Sequence, residues 1–198
     1  MNYYVVTYTG PFGFIKPWAA VRDGETFSQQ FLTPSIVAGM ERKLFPELLK
    51  EAYGHYAIVG HRLSYSQMSA QQEQVQPRGW NFRKKRKMWE RPRAILVRNV
   101  LLNPILHVAF NNHEFAERAA TQHLCLCRNE DVVYPITTPM EVTKEEFDSD
   151  ENLFSGFELV FEQTDPRSFL VGYNRYNDAT PMYGWLRTVG EPVNLQGA

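Results

Sequence analysis

The chain has 198 residues, 43% of them hydrophobic, a length and composition that suit one domain with a small appendage and a core needing neither disulfide nor metal. Its 21 Lys and Arg nearly balance 22 Asp and Glu, and a net charge of −1 taken alone argues against a nucleic-acid partner. The opening MNYYVVTYTG lacks a signal-peptide pattern and no apolar run reaches the ~18 residues of a membrane span; Cys125 and Cys127 are too close to form a useful staple, so a cytoplasmic protein with no membrane partner is expected.

In chain order, the β-branched and aromatic residues Tyr3 to Thr9 predict a first strand, broken by Gly10, Pro11 and Gly13. Phe14 to Leu32 reads as an irregular loop. Thr33-Pro34-Ser35 predicts a helix start, with Thr33 as cap and Pro34 in the first turn. Ile36, Val37, Met40, Leu44, Leu48 and Leu49 give that helix an apolar face, which Pro46 interrupts. Tyr56 to Leu63 predicts the next strand. The polar tract Ser64 to Pro92 has no helical apolar face, and an insert of that length is usually functional or disordered. Strands are expected over Ala94 to Leu102, Ile105 to Phe110 and His123 to Cys127, with a short helix over Glu114 to Gln122. Thr138 to Asp150 reads as an acidic linker, and three more strands are expected from Gly156, Ser168 and Tyr183. The order predicts an α+β fold with a ferredoxin-like β-α-β-β-α-β core in the first 130 residues. The expected division is a core over residues 1–135 carrying a basic insert at 64–92, then a linker and C-terminal strands over 136–198.

The charge is not spread evenly. From Arg78 to Arg98 nine basic residues face only Glu90, a net of +8, whereas Glu130 to Asp165 carries eleven acids against Lys144, a net of −10. One face of the molecule is therefore expected to meet a polyanion. Arg83-Lys84-Lys85-Arg86-Lys87 is the strongest candidate, because phosphate neutralisation supplies sequence-insensitive affinity. Trp80, Phe82 and Trp89 interleave those charges, and unstacked bases stack on such rings. A solvated basic loop is the plainer alternative. A second candidate is the loop Gly10 to Arg22, where glycines let backbone N–H groups approach phosphate and Lys16, Arg22, Phe14 and Trp18 add charge and rings. Arg98 is a further phosphate candidate, and Tyr173 to Tyr176 could reach RNA or simply pack.

The five histidines raise acid–base chemistry. His61 and His107 lie in strand-like runs, where a satisfied structural histidine is the commoner outcome. His123, Cys125 and Cys127 alternate and would share one strand face, but no fourth ligand is evident and zinc sites prefer wider spacing, so core packing is the better expectation. The acidic tract Glu141 to Glu151 has no calcium-loop pattern. Neither a metal nor another cofactor is expected.

Four segments then resemble one known family. Gly10-Pro11-Phe12-Gly13-Phe14-Ile15-Lys16-Pro17 is similar to a G-x-F-x-x-x-x-P loop after a first strand, and Thr33-Pro34-Ser35-Ile36-Val37-Ala38-Gly39-Met40 to a Pro-Ser helix start followed by a small residue and Gly. Arg98-Asn99-Val100-Leu101-Leu102-Asn103-Pro104 is similar to a strand ending in Asn-Pro, and Cys127-Arg128-Asn129-Glu130 to a Gly-Arg-x-Glu block with Cys127 in place of the Gly. Together they resemble CRISPR-associated protein family 5, in its compact type I-B-like form. The resemblance implies an RRM-like domain of the repeat-associated RNA-binding superfamily that caps the 5′ handle of the guide RNA. It also implies contacts to the backbone subunit of family 7, the large subunit of family 8 and target DNA near the protospacer-adjacent motif. An inserted thumb hairpin usually reaches over the RNA, and Ser64 to Pro92 is the candidate for it. Type I-C members cleave the guide precursor with a Tyr, Lys and His group. Their adjacent Lys-His pair is absent here; His61 with Tyr65 could make a substitute, and a ribonuclease would use His61 or His107. A non-catalytic RNA-binding subunit is therefore the expectation; a processing ribonuclease and a protein adaptor without RNA contact are the alternatives.

Overall fold

Strand β1 (Asn2–Thr9) is buried from both sides, Tyr3 and Val5 on one face and Val6 and Tyr8 on the other, which is why it reads as a nearly unbroken apolar run. It organises the fold in a computed structural model that describes residues 1–17, 24–51, 54–75, 79–91, 93–174 and 178–194. Short strands β2 (Phe12–Gly13) and β3 (Glu25–Phe27) follow, the second inside the stretch expected to be irregular. Helix α1 (Pro34–Leu44) begins with Thr33 in the cap position, but the threonine side chain makes no capping bond. Pro34 in the first turn and Arg42 and Lys43 in the last suit the helix ends. The helix stops before Pro46, and Pro46–Lys50 continues as a 3₁₀ turn that leaves Leu49 exposed.

The order then runs β4 (Ile58–Ser64), β5 (Gln67–Val75), β6 (Asn81–Arg83), β7 (Met88–Glu90), β8 (Ala94–Leu102), β9 (Ile105–Phe110), α2 (His113–Ala119), β10 (Leu124–Cys125) and β11 (Val132–Pro135). The antiparallel order β11-β1-β9-β4, with α1 and α2 on one face, is the ferredoxin-like arrangement. The fold is α+β and mostly antiparallel. Val6, Tyr8, Leu44, Leu63, Val108 and Phe110 form the helix-side core.

Two segments carry more structure than their residue patterns announce, the first of them the candidate thumb hairpin. The insert is not structureless: β5 pairs with β8 along its whole length, Gln67↔Leu102 to Val75↔Ala94, and β6 pairs with β7 as a second small hairpin between them. Backbone pairing rather than an apolar face forms these strands, so periodicity is silent about them. The acidic stretch is not a linker either. It forms β12 (Met140–Thr143), paired with β1, and α3 (Lys144–Ser149), which opens with a reciprocal capping box between Thr143 and Glu146. The residues Tyr3, Val5, Ala109, Phe147 and Phe154 make a second core on the sheet face opposite α1 and α2. Finally β13 (Gly156–Val160), β14 (Phe169–Asn174) and β15 (Thr180–Val189) extend the sheet beyond β4 in the order β13-β15-β14. Among the described residues no helix is long and apolar enough to cross a membrane.

Candidate nucleic-acid interface

The hairpin base is fixed by the domain. One side of β8 pairs with β2 and β3, the latter in parallel from Glu25↔Val97 to Phe27↔Asn99, and the other side pairs with β5. The pairing with β3 ends at Val97, so Ala94 to Leu96 and their β5 partners extend past it. At ~3.3 Å per residue, arms of nine residues span roughly 27 Å. The strand β5 is rich in Gln and carries one acid, Glu73, so the arms are nearly neutral and the charge is kept for the far end.

At that end Arg86 N–H donates to Arg83 O at 3.1 Å, and Lys87 takes a left-handed conformation, φ 49°. The turn Lys84 to Lys87 therefore presents four consecutive cationic residues, all exposed. Strand alternation sorts the flanking side chains. Phe82 lies directly opposite Trp89, with ring centroids 5.3 Å apart. Trp80 and Arg91 fall on the same side by their spacing, and the Arg91 guanidinium sits 4.5 Å from the centroid of the Trp80 ring. The other side carries Asn81, Arg83, Met88 and Glu90, with an ion pair between Arg83 and Glu90. Trp80, Phe82, Met88 and Trp89 are 55%, 49%, 49% and 62% exposed, an unusual density of bare apolar surface for so short a segment. Arg91 and Met88 were not singled out from the sequence; strand alternation counted from Trp89 places Arg91 on the aromatic side.

The remaining sequence candidates are dispersed. Lys16 is exposed on the loop after β2. Arg98 sits mid-strand in β8, where its guanidinium donates to Glu73 at 3.1 Å and to Thr26 Oγ1 at 2.8 Å, so it is engaged within the chain. Trp18 and Arg22, like Arg175 and Tyr176, lie outside the described residues. Phe14 is buried, its ring 5.4 Å from the Arg98 guanidinium and 5.3 Å from that of Arg128, so it is not an open stacking surface. The glycines of this loop also have an internal explanation. A Cβ on Gly10 would lie 2.4 Å from the Val132 carbonyl oxygen, and one on Gly13 would lie 2.2 Å from the Leu126 side chain.

The histidines do not assemble into one centre. In the β4–β9 pairing His61 lies opposite Val108 and Arg62 opposite His107, which puts the two histidines on opposite faces of the sheet. His61 and Tyr65 share a face but are four residues apart, about 13 Å along an extended strand. Both rings are buried, and burial pushes His61 down to about 3 and His107 down to about 4, so each is a neutral imidazole at pH 7. His107 Nδ1 shares a 2.9 Å hydrogen bond with Thr7 Oγ1, whereas His61 Nε2 has no partner among the described residues. The expectation that His123, Cys125 and Cys127 pack in the core is corrected: His123 and Cys127 are exposed and Cys125 half-buried, while Leu124 and Leu126 fill the interior. No cluster of metal-ligating side chains occurs among the described residues.

The face that an RRM-like sheet ordinarily leaves open is covered by α3. Asp148 accepts from Arg62 at 3.3 Å, pairs with Lys144 at 3.2 Å and is also bound by Arg187. The guanidinium of Arg62, fully buried, pairs with Glu158 as well and lies 4.6 Å from the Phe147 ring centroid. Burial pushes the Arg62 guanidinium down and the Glu158 carboxyl up. This network was not anticipated, since Arg62, Asp148 and Glu158 are 96 residues apart at the extremes and form no local motif.

No family model matches the chain, and no curated protein matches it. Among solved structures, a chain of a CRISPR RNA-guided surveillance complex shares the fold, with a TM-score of 0.52 and 10% sequence identity over 96% of this chain and 91% of that one.

Proposed function

We propose that the chain is a non-catalytic, RNA-binding subunit of a type I CRISPR effector complex, of the family 5 kind, and that its inserted hairpin grips the guide RNA. The observation that carries the reading is the hairpin end, where four successive cationic residues adjoin a face made by Trp80, Phe82, Trp89 and Arg91. Lysine and arginine neutralise phosphate, and exposed rings take up unstacked bases. The fold shared with a chain of a surveillance complex supports the assignment. In this reading residues 1–135 hold the 5′ handle, with 64–92 as the thumb, and 136–198 pack on the same domain. Arg98 would contribute from the hairpin base by giving up Glu73, and Lys16, Trp18 and Arg22 belong to the same proposal as further RNA contacts. Contacts to the backbone and large subunits and to target DNA belong to the same proposal.

The ribonuclease alternative has no support in His61 and His107, which are buried, neutral and on opposite faces. Purified protein should leave repeat RNA intact with or without divalent metal; site-specific cutting that vanished in His61→Ala would restore that alternative. The RNA-binding reading is tested by filter binding of repeat RNA at several salt concentrations. Replacing Lys84, Lys85 and Arg86 by Ala should weaken binding and flatten the log–log salt slope by roughly 2, about 0.7 for each lost contact to a single strand. An unchanged slope would favour a protein adaptor whose basic turn meets an acidic partner.

A further inference from the structure

Beside the first turn of α1, where β4 meets β13, lies a cleft of about 270 Å³ lined by Val37, His55, His61, Glu158, Leu159 and Phe161 among others. The hairpin plays no part in it. A water takes up about 30 Å³ of liquid volume, so the cleft has room for several waters or one planar heterocycle. Its walls are mostly apolar with two imidazoles and a phenyl ring. The His55 ring stacks on Phe161 at 5.0 Å with 24° between planes, and the His61 ring lies 5.9 Å from the same phenyl. Phe161 is 36% exposed and forms the rim, while His61 is 3% exposed.

We infer that this cleft binds a single unstacked nucleobase. Two observations converge on that ligand. The first is the unmet Nε2 of His61, a polar atom closed off from solvent in a residue that lines the cleft, where a native structure ordinarily supplies a partner. The second is the charge of the lining. Among the described residues no Lys or Arg lines the cleft, the Glu158 carboxylate is already bound by Arg62 and by the backbone N–H of His61 at 3.3 Å, and both imidazoles are pushed toward the neutral form by burial. A phosphate or a carboxylate would find no cation in that lining. A flat, uncharged ring with a hydrogen-bonding edge finds aromatic faces at the rim and, once the His61 imidazole turns toward the cleft, one nitrogen to satisfy inside. The inference draws on the proposed function only in taking the base from a bound strand; the cleft would equally accept a free nucleoside.

The test is a titration of the full chain with adenosine, guanosine, cytidine and uridine, and separately with single-stranded repeat RNA, following the imidazole NMR signals of His55 and His61. At least one nucleoside should shift both. His61→Leu, which places an apolar side chain where no partner is needed, should keep the fold by circular dichroism and weaken that nucleoside at least tenfold. Phe161→Ala, at the half-open rim, should weaken it too. Matching shifts with the RNA identify the strand as the source, and shifts with nucleosides alone identify a free ligand. The chain with Lys84, Lys85 and Arg86 replaced by Ala should keep its nucleoside shifts, so the fate of the hairpin reading does not decide this one. If no nucleoside moves either ring, or if the shifts survive both His61→Leu and Phe161→Ala, the cleft holds only water and the inference fails.

Discussion

The hairpin end and α3 differ in sign of charge and in where they put their rings. Between Trp80 and Trp89 the chain leaves four large apolar side chains in solvent next to an exposed basic turn. In α3 the polarity is the reverse: acids ring the surface, and the one phenyl, Phe147, is 1% exposed against Tyr3 and Phe154. Burial of Phe147 closes the sheet face that would otherwise be open to a ligand, and the acids around it repel phosphate. Bare rings at the hairpin have no such internal use. Charge density alone therefore does not separate a binding surface from a structural one; the burial of the apolar residues among the charges does.

The comparison breaks most severely at Glu158. Replacing it with Ala strands the Arg62 guanidinium without its closest partner in the interior and should cost ~3–5 kcal/mol in urea denaturation. The same measurement on Lys84→Ala should show almost no change, since an exposed charge contributes little. Acid offers a second route. His61 and His107 have folded-state pKa values of about 3 and about 4, below the ordinary 6.5. Their contribution to stability is thus full above pH 6.5 and lost as pH falls from there toward 4, at about 1.4 kcal/mol per pH unit for each ring. Thermal melts between pH 7 and 5 should fall accordingly, and His107→Asn should flatten the fall within that range. A melting temperature constant over that range would mean that the two rings are not buried as described.

Binding effects are smaller. Trp80→Ala should cost ~1–3 kcal/mol of RNA affinity while leaving the salt slope nearly unchanged, the opposite signature to loss of the lysines. A changed slope with unchanged affinity would show that the ring only props Arg91. The smallest effect concerns Gly39. It lies inside α1, and a Cβ there meets nothing within 4 Å. Gly39→Ala should therefore stabilise the isolated chain by about 1 kcal/mol through helix propensity. A destabilised Gly39→Ala would contradict the open space, and a stable variant that fails to join a complex would assign the glycine to a subunit contact.

Local features of the fold followed from the residues themselves. The β-branched run of β1, Pro34 at the start of α1, Pro46 at its end and Asn103-Pro104 between β8 and β9 each act within a few residues, so the ferredoxin-like order could be read in sequence. The charge run and its rings were equally plain. Tertiary pairing decided the rest. The polar strand β5 has no apolar pattern to announce it, because the backbone of β8 supplies its partners. The fate of 138–150 turned on one phenylalanine finding Tyr3 and on Asp148 finding arginines from β4 and β15, contacts to which local periodicity is blind. Glu41 shows the same limit: its spacing in α1 gives no hint that it is fully buried, yet its carboxylate accepts the N–H groups of Tyr56, Ala57 and Ile58 at the entry to β4. Sequence fixes which segments can bury a face or turn a corner. Only the assembled sheet determines which polar groups are drawn inside, because that depends on partners from distant parts of the chain.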